Sequence, residues 1–260
     1  MSTASHAPGS PSWFELATTD QAGAERFYGG LFGWVTDATP MPDGSHYTIF
    51  RLDGREVAAC YTMLAEQREQ GVPPHWSIYF RTDDVDAAVA RASAGGGGVV
   101  VEAYEVMEHL RMAVLSDPEG AVFSLHQPRS HGGVDAIRQP NAIAWVELAT
   151  RDLPRAEAFY RDVLGWSLQD HTAAPVGSYR IFCSDDGQVG GLLKMDEDWA
   201  EMPSHWSIYV QVEDVDEAVA RAEALGGRCV VAAFDIPGVG RIARINDPAG
   251  AGFYVIRLGD

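Results

Sequence analysis

The groups in this sequence that could do acid–base chemistry come mostly in pairs. Glu15 stands two residues after Trp13, and Glu147 two residues after Trp145. On an extended strand such neighbours share a face, so each carboxylate lies beside an indole. A carboxylate desolvated between aromatic rings has its pKa raised, by up to about 3–5 units when fully buried. That would suit a general acid or base near neutral pH. The same carboxylates could equally accept from backbone N–H groups or pair with an arginine, and their occurrence in two copies leans that way. His75 and His205 follow Pro74 and Ser204 at strand starts, where a histidine is commonly a satisfied structural group. His126 has no second copy, because Ile256 stands at its counterpart. Trp13, Trp145, Tyr61, Tyr79, Tyr209 and Tyr254 together suit the wall of a site for a flat hydrophobic ligand, although packing accounts for any one of them alone. Cys60 reads as a small buried hydrophobe, with no base beside it in sequence.

A duplication sets the elements that must position these groups. Trp13 to Asp20 (WFELATTD) returns as Trp145 to Asp152 (WVELATRD), an offset of 132 residues. The segment AERFY from Ala24 returns as AEAFY from Ala156, and LFGW ending at Trp34 as VLGW ending at Trp166. HWSIY from His75 returns at His205, and DPEGA from Asp117 as DPAGA from Asp247, with the offset now 130. Self-similarity on this scale means two copies of one architecture. Each half divides again. An alternating strand is followed by a helix opened by Asp20, with Ala24, Phe27, Tyr28 and Leu31 at helical spacing and Gly33 as its stop. Strands are expected at about Trp34–Thr36, Tyr47–Leu52 and Val57–Met63, with Asp53-Gly54 as the hairpin turn. The second quarter repeats the order, with strand His75–Phe80, helix Asp84–Ala94 and a last strand at Ala121–His126. Gly95 to Gly98 is a helix stop rather than a phosphate loop. The expectation is α+β: four βαβββ modules in two domains, residues 11–127 and 142–258, after a disordered tail over residues 1–10 and with a linker at 128–141.

Composition narrows the function. The 260 residues carry 19 Lys and Arg against 37 Asp and Glu, a net charge of −18. Such a field repels nucleic acid and anionic membrane, and disfavours a strongly anionic ligand without a local basic pocket. No apolar run approaches the roughly 18 residues that a membrane span needs. Three unpaired-looking cysteines and the lack of a leader pattern point to a cytoplasmic protein.

These motifs resemble the vicinal oxygen chelate superfamily, which groups glyoxalases, bleomycin resistance proteins and extradiol dioxygenases. They are the strand, the Asp-capped helix ending in Gly-Trp34 or Gly-Trp166, and the Asp-Pro-x-Gly turn. The tandem form is similar to glyoxalase-like proteins of actinobacterial secondary metabolism, those of anthracycline-type antibiotic biosynthesis included. The resemblance implies open β clefts with the helices outside. Metal-dependent members place His, Gln or Glu at one point on each of four strands. Carried onto this chain, those points fall at Trp13, Ser77, Ser124 and near Cys60, and at Trp145, Ser207, Tyr254 and near Leu192. None is a histidine or carboxylate, so no metal or other cofactor is expected. A displaced iron site from Glu15, His75 and His126 is the alternative.

The expected function is metal-independent binding, for sequestration or maturation, of a hydrophobic aromatic, polyketide-like small molecule. Glu15, Glu147, His75 and His126 are the candidates for catalytic or orienting groups. Trp13, Cys60, Tyr61, Ser77, Tyr79, Ser124, Trp145, His205, Ser207, Tyr209 and Tyr254 are the candidates for contact with it. The rivals are an enzyme (a lyase, isomerase or cyclase with a Glu or His base, or an iron oxygenase) and a degenerate scaffold. A monomer is expected, since the duplication supplies both halves of a pseudo-dimer, with a homodimer as the alternative.

Overall fold

The computed structural model describes residues 6–42, 44–170 and 179–259. The first quarter runs β1 (Pro11–Thr18), α1 (Gln21–Phe32), β2 (Val35–Pro40), β3 (His46–Leu52) and β4 (Arg55–Thr62), with a short α2 (Ala65–Glu69) after it. The second is β5 (His75–Arg81), α3 (Val85–Ala94), β6 (Gly98–Val106), β7 (Leu110–Ser116) and β8 (Val122–Pro128). The third is β9 (Ile143–Thr150), α4 (Leu153–Leu164), β10 (Ser167–Asp170), β11 (Tyr179–Ser184) and β12 (Gly187–Lys194). The fourth is β13 (His205–Gln211), α5 (Val215–Ala224), β14 (Arg228–Ile236), β15 (Gly240–Asn246) and β16 (Gly252–Leu258). The architecture is α+β with four βαβββ modules, as the repeat predicts. The strands form two eight-stranded mixed sheets, ordered β2-β3-β4-β1-β5-β8-β7-β6 and β10-β11-β12-β9-β13-β16-β15-β14. Among the described residues no helix is long and apolar enough to cross a membrane.

Local chemistry explains the helix ends. Asp20, Asp84, Asp152 and Asp214 each accept a backbone N–H from the first turn of the helix that follows, satisfying a donor that has no partner inside the helix. Gly33 and Gly165 close α1 and α4 at φ 73° and 76°, in the left-handed region that glycine enters without steric cost. Asp53 and Gly54 both take positive φ at the β3–β4 turn, as a two-residue hairpin requires. The strand β2 continues to Pro40, beyond the expected end at Thr36, because its ladder with β3 runs from Val35↔Arg51 to Pro40↔His46.

The packing divides the chain differently from the repeat. One compact unit joins the second and third quarters, with residues up to Trp13, Ile78–Gly133 and Trp145–Ser207. The other joins the first and fourth, with Phe14–Ser77, Val134–Ala144 and residues from Ile208 onward. We call them the middle-quarter and end-quarter units. Each is centred on a buried tyrosine of an amphipathic helix. In the end-quarter unit the Tyr28 hydroxyl accepts from Trp76 Nε1 at 3.0 Å and donates to Asp247 Oδ2 at 3.1 Å. Asp247 Oδ1 in turn accepts the N–H groups of Ala249, Gly250 and Ala251. In the middle-quarter unit Tyr160 repeats this between Trp206 (2.9 Å) and Asp117 (3.2 Å). Trp34 stacks on Tyr28 at 5.7 Å and Trp166 on Tyr160 at 5.4 Å. Burial pushes both carboxyls, Asp117 and Asp247, above the usual aspartate range, against the pull of their backbone donors. The Asp-Pro-x-Gly turn of one half is thus held by the helix of the other.

The segment expected as a tail is partly tied down. Residues 1–5 lie outside the described residues, but Gly9 N–H donates to Arg81 O at 2.7 Å and Gly9 O accepts from Trp166 Nε1 at 3.0 Å.

Candidate functional site

Strand parity decides which side chains lie on the sheet faces turned away from the helices. In the middle-quarter unit, β9 and β12 run parallel with Glu147 opposite Gly191, and β11 sets Tyr179 opposite Leu193. Trp145, Glu147, Tyr179 and Gly191 therefore share a face, while Leu148 and Leu192 take the other and are fully buried. The Trp145 indole N–H donates to the Tyr179 hydroxyl at 3.0 Å. That hydroxyl bonds on to the Glu147 carboxylate, whose charge, after burial itself, raises the phenol's pKa. Gly191 makes this packing possible, since a Cβ there would overlap the Tyr179 hydroxyl and crowd the indole nitrogen. The result is an indole–phenol–carboxylate chain with Trp145 half-buried and Glu147 9% exposed.

The end-quarter unit carries the related pair. Tyr47 donates to Glu15 Oε1 at 2.6 Å, with Glu15 opposite Ala59 and Tyr47 opposite Tyr61. The Tyr61 hydroxyl accepts from Gln67 Nε2 at 3.2 Å. Tyr47 and Tyr179 are absent from the expected set, although their spacing of 132 residues repeats the offset of the first duplicated segments.

Cys60 is a correction. It neighbours Tyr61 in sequence, so alternation puts it on the opposite face, opposite Leu16 and Thr48. It is fully buried, and burial with the nearby Glu25 charge pushes its thiol up to about 12. A thiol so far from ionising on the helix side touches no ligand on the open face. Its near neighbour Ala59 holds the place assigned to it.

The three candidate histidines are each engaged. His126 is 1% exposed in the middle-quarter unit. Its Nε2–H donates to His131 O at 3.3 Å, and its Nδ1 accepts from Ser12 Oγ at 2.8 Å. Burial, followed by the charges of His131, His6 and Arg81, lowers its pKa to about 4, so it is neutral at pH 7. His75 and His205 each donate from Nδ1 to the carbonyl two residues earlier, Pro73 at 2.8 Å and Pro203 at 2.9 Å. Trp13 meets His131 edge-on at 4.6 Å, a different setting from that of Trp145. Ser77 and Ser207 are half-buried on the open faces of β5 and β13. Ser124 lies buried opposite Tyr79, and Tyr209 stacks on Tyr254 at 4.5 Å.

The fold and these faces define the class. A family model for the glyoxalase/bleomycin resistance protein/dioxygenase superfamily matches residues 142–255, and one for a glyoxalase-like domain matches residues 13–126. The chain belongs to this superfamily as two tandem glyoxalase-like domains. Among its relatives is the putative glyoxylase CFP32 of Mycobacterium tuberculosis, 38% identical over 96% of this chain and 95% of that one. The anthracycline biosynthesis protein DauV of a Streptomyces strain is 36% identical over 97% of this chain and 94% of its own. In fold it is similar to the Mn(II)-bound glyoxalase of Novosphingobium aromaticivorans, with TM-score 0.62 at 16% identity over 97% and 84% of the two chains.

The residues present do not fit the metal that such members hold. Among the described residues no three His, Cys, Asp or Glu side chains are grouped to bind an ion. The displaced site from Glu15, His75 and His126 is therefore not formed. Both ring nitrogens of His126 are spent within the protein, and Glu15 is bonded to a phenol.

Proposed function

We infer that this chain binds a hydrophobic aromatic, polyketide-like small molecule without a resident metal, and sequesters it or assists its maturation. The observation that carries the reading is the Trp145–Tyr179–Glu147 chain over Gly191. A half-buried indole supplies an apolar surface of low conformational entropy, and a carboxylate already aligned by a phenol accepts from a ligand hydroxyl without further ordering. The relationship to a protein named for anthracycline biosynthesis supports an aromatic polyketide as the ligand class. Tryptophan fluorescence titrated with a dihydroxyanthraquinone, with and without EDTA, tests it. Saturable quenching that EDTA leaves unchanged is expected, weakened by Trp145→Ala. Quenching that disappears with EDTA, or never saturates, refutes the reading.

The same carboxylate favours a second reading, a lyase, isomerase or cyclase in which Glu147 is the base. Its burial and its alignment by the Tyr179 phenol suit a general base. Glu147→Gln separates the two: turnover lost with affinity kept supports the base, and parallel loss of both supports binding alone.

A further inference from the structure

The open face of β13, β15 and β16, in the end-quarter unit, carries a set of side chains that the first half does not repeat. Register places Arg244 opposite Tyr254, and Tyr254 opposite Tyr209. The two tyrosine rings lie nearly parallel, at 10°. The Arg244 guanidinium carbon sits 5.9 Å from the centre of the Tyr254 ring, within the range of a cation–π contact. One pleat along, Asn246 faces Gly252. A Cβ on Gly252 would come within 3.2 Å of both Arg244 Nη2 and Asn246 Oδ1. The missing side chain therefore lets the guanidinium and the amide lie low against the sheet.

Both polar groups are unspent. Arg244 takes part in no ion pair or hydrogen bond among the described residues, although the chain holds 37 acidic residues against 19 basic ones. Its guanidinium is braced from behind by stacked rings instead of being neutralised. Asn246 Oδ1 is buried and has no donor, a condition that folded proteins avoid unless something else fills it. At the counterpart positions, 130 residues earlier, stand Val114, Ser116, Val122 and Ser124, with Tyr79 kept in place of Tyr209. The cation and the amide thus belong to one copy only.

We propose that this face of the end-quarter unit is itself a site for an aromatic carboxylate, with Arg244 as the anchor and Asn246 Oδ1 accepting from a neighbouring ligand hydroxyl. The inference rests on the aromatic-ligand class read above, extends it to a face of the other unit, and adds a charge. The guanidinium's forked donors match a carboxylate's two oxygens, and bracing by Tyr254 reduces the side-chain freedom lost on binding. A net charge of −18 repels anions in general, so a preference for an acid over its neutral analogue marks this site specifically.

The test compares an anthraquinone carboxylate with the matching carboxamide, on the full chain and on Arg244→Met, by calorimetry. Wild type should hold the carboxylate tenfold or more tighter than the carboxamide, on the order of one charge-assisted hydrogen-bond pair. Arg244→Met should bind both alike, at the wild-type affinity for the carboxamide. Equal affinities in the wild type, or a preference that survives in Arg244→Met, overturn the proposal while leaving aromatic binding intact. Binding of neither probe overturns the aromatic reading and this proposal with it. Where the variant does not fold, the wild-type ratio alone decides.

Discussion

Tyr160→Phe removes one oxygen and leaves the ring, so no cavity opens and the cost is that of the lost hydrogen bonds. In the wild type that oxygen accepts from Trp206 Nε1 and donates to Asp117 Oδ2, all within the interior of the middle-quarter unit. The substitution orphans a buried indole N–H and one oxygen of a buried carboxylate. Each unsatisfied group costs about 1–3 kcal/mol, giving about 2–6 kcal/mol together. For a chain of this length that is a fall of roughly 5–15 °C in Tm. The loss should also depend on pH with a definite sign. Burial already raises the Asp117 pKa, and Tyr160 is one of the donors that hold it down. Without Tyr160 the folded-state pKa climbs further above the unfolded value, so the variant recovers stability as pH falls and Asp117 takes up a proton. Urea unfolding of wild type and variant, followed by fluorescence at pH 7 and pH 5, measures both effects. A variant within about 0.5 kcal/mol of wild type at pH 7, or a deficit that widens at pH 5, refutes the role given to the tie.

Three further outcomes follow from the same geometry. Gly191→Ala should displace Tyr179, red-shift Trp145 emission and cost about 1–3 kcal/mol, whereas Ala59→Gly at the counterpart position should leave the Glu15–Tyr47 pair intact. His126, lowered to about 4 from an ordinary 6.5, contributes stability above its unfolded pKa that is lost as pH falls from about 6.5 through 4. A shift of that size is worth about 3 kcal/mol, so His126→Phe should flatten the acid limb of the wild-type stability profile, read as urea midpoints. Tyr47→Phe should remove the hydrogen bond to Glu15 and cost about 0.5–1.5 kcal/mol, read as a lower urea midpoint.

The four module helices were legible because their signals are local, whereas the short α2 was not read. Asp20, Asp84, Asp152 and Asp214 cap the helices that begin immediately after them, and Gly33 and Gly165 stop the turns that precede them. The pairing of Glu15 with Tyr47 and of Glu147 with Tyr179 was not legible in the same way, because each joins strands that are not neighbours in the chain. The shared offset of 132 was the one clue available. Cys60 was misplaced for a simpler reason: a strand admits only one of two consecutive residues to a given face, and Tyr61 is on the open one. His126 drew attention as unrepeated, yet one partner, the His131 carbonyl, lies in the loop after its own strand, and the other, Ser12, lies 114 residues away, beyond the reach of any spacing rule. A repeat likewise reveals which segments are alike without revealing which ones pack, so the joining of first with fourth quarter and second with third appeared only in three dimensions.

That interleaving has a consequence for the chain as a machine part. Residues 11–127, produced alone, would carry Tyr28 without Asp247 and Asp117 without Tyr160, one unfilled plug and one unfilled socket on the same fragment. Each fragment nevertheless owns one plug and one socket of the same pattern. Two copies of either, or one of each, could complete both. Joining the two halves in one chain makes that completion intramolecular, so it does not depend on protein concentration.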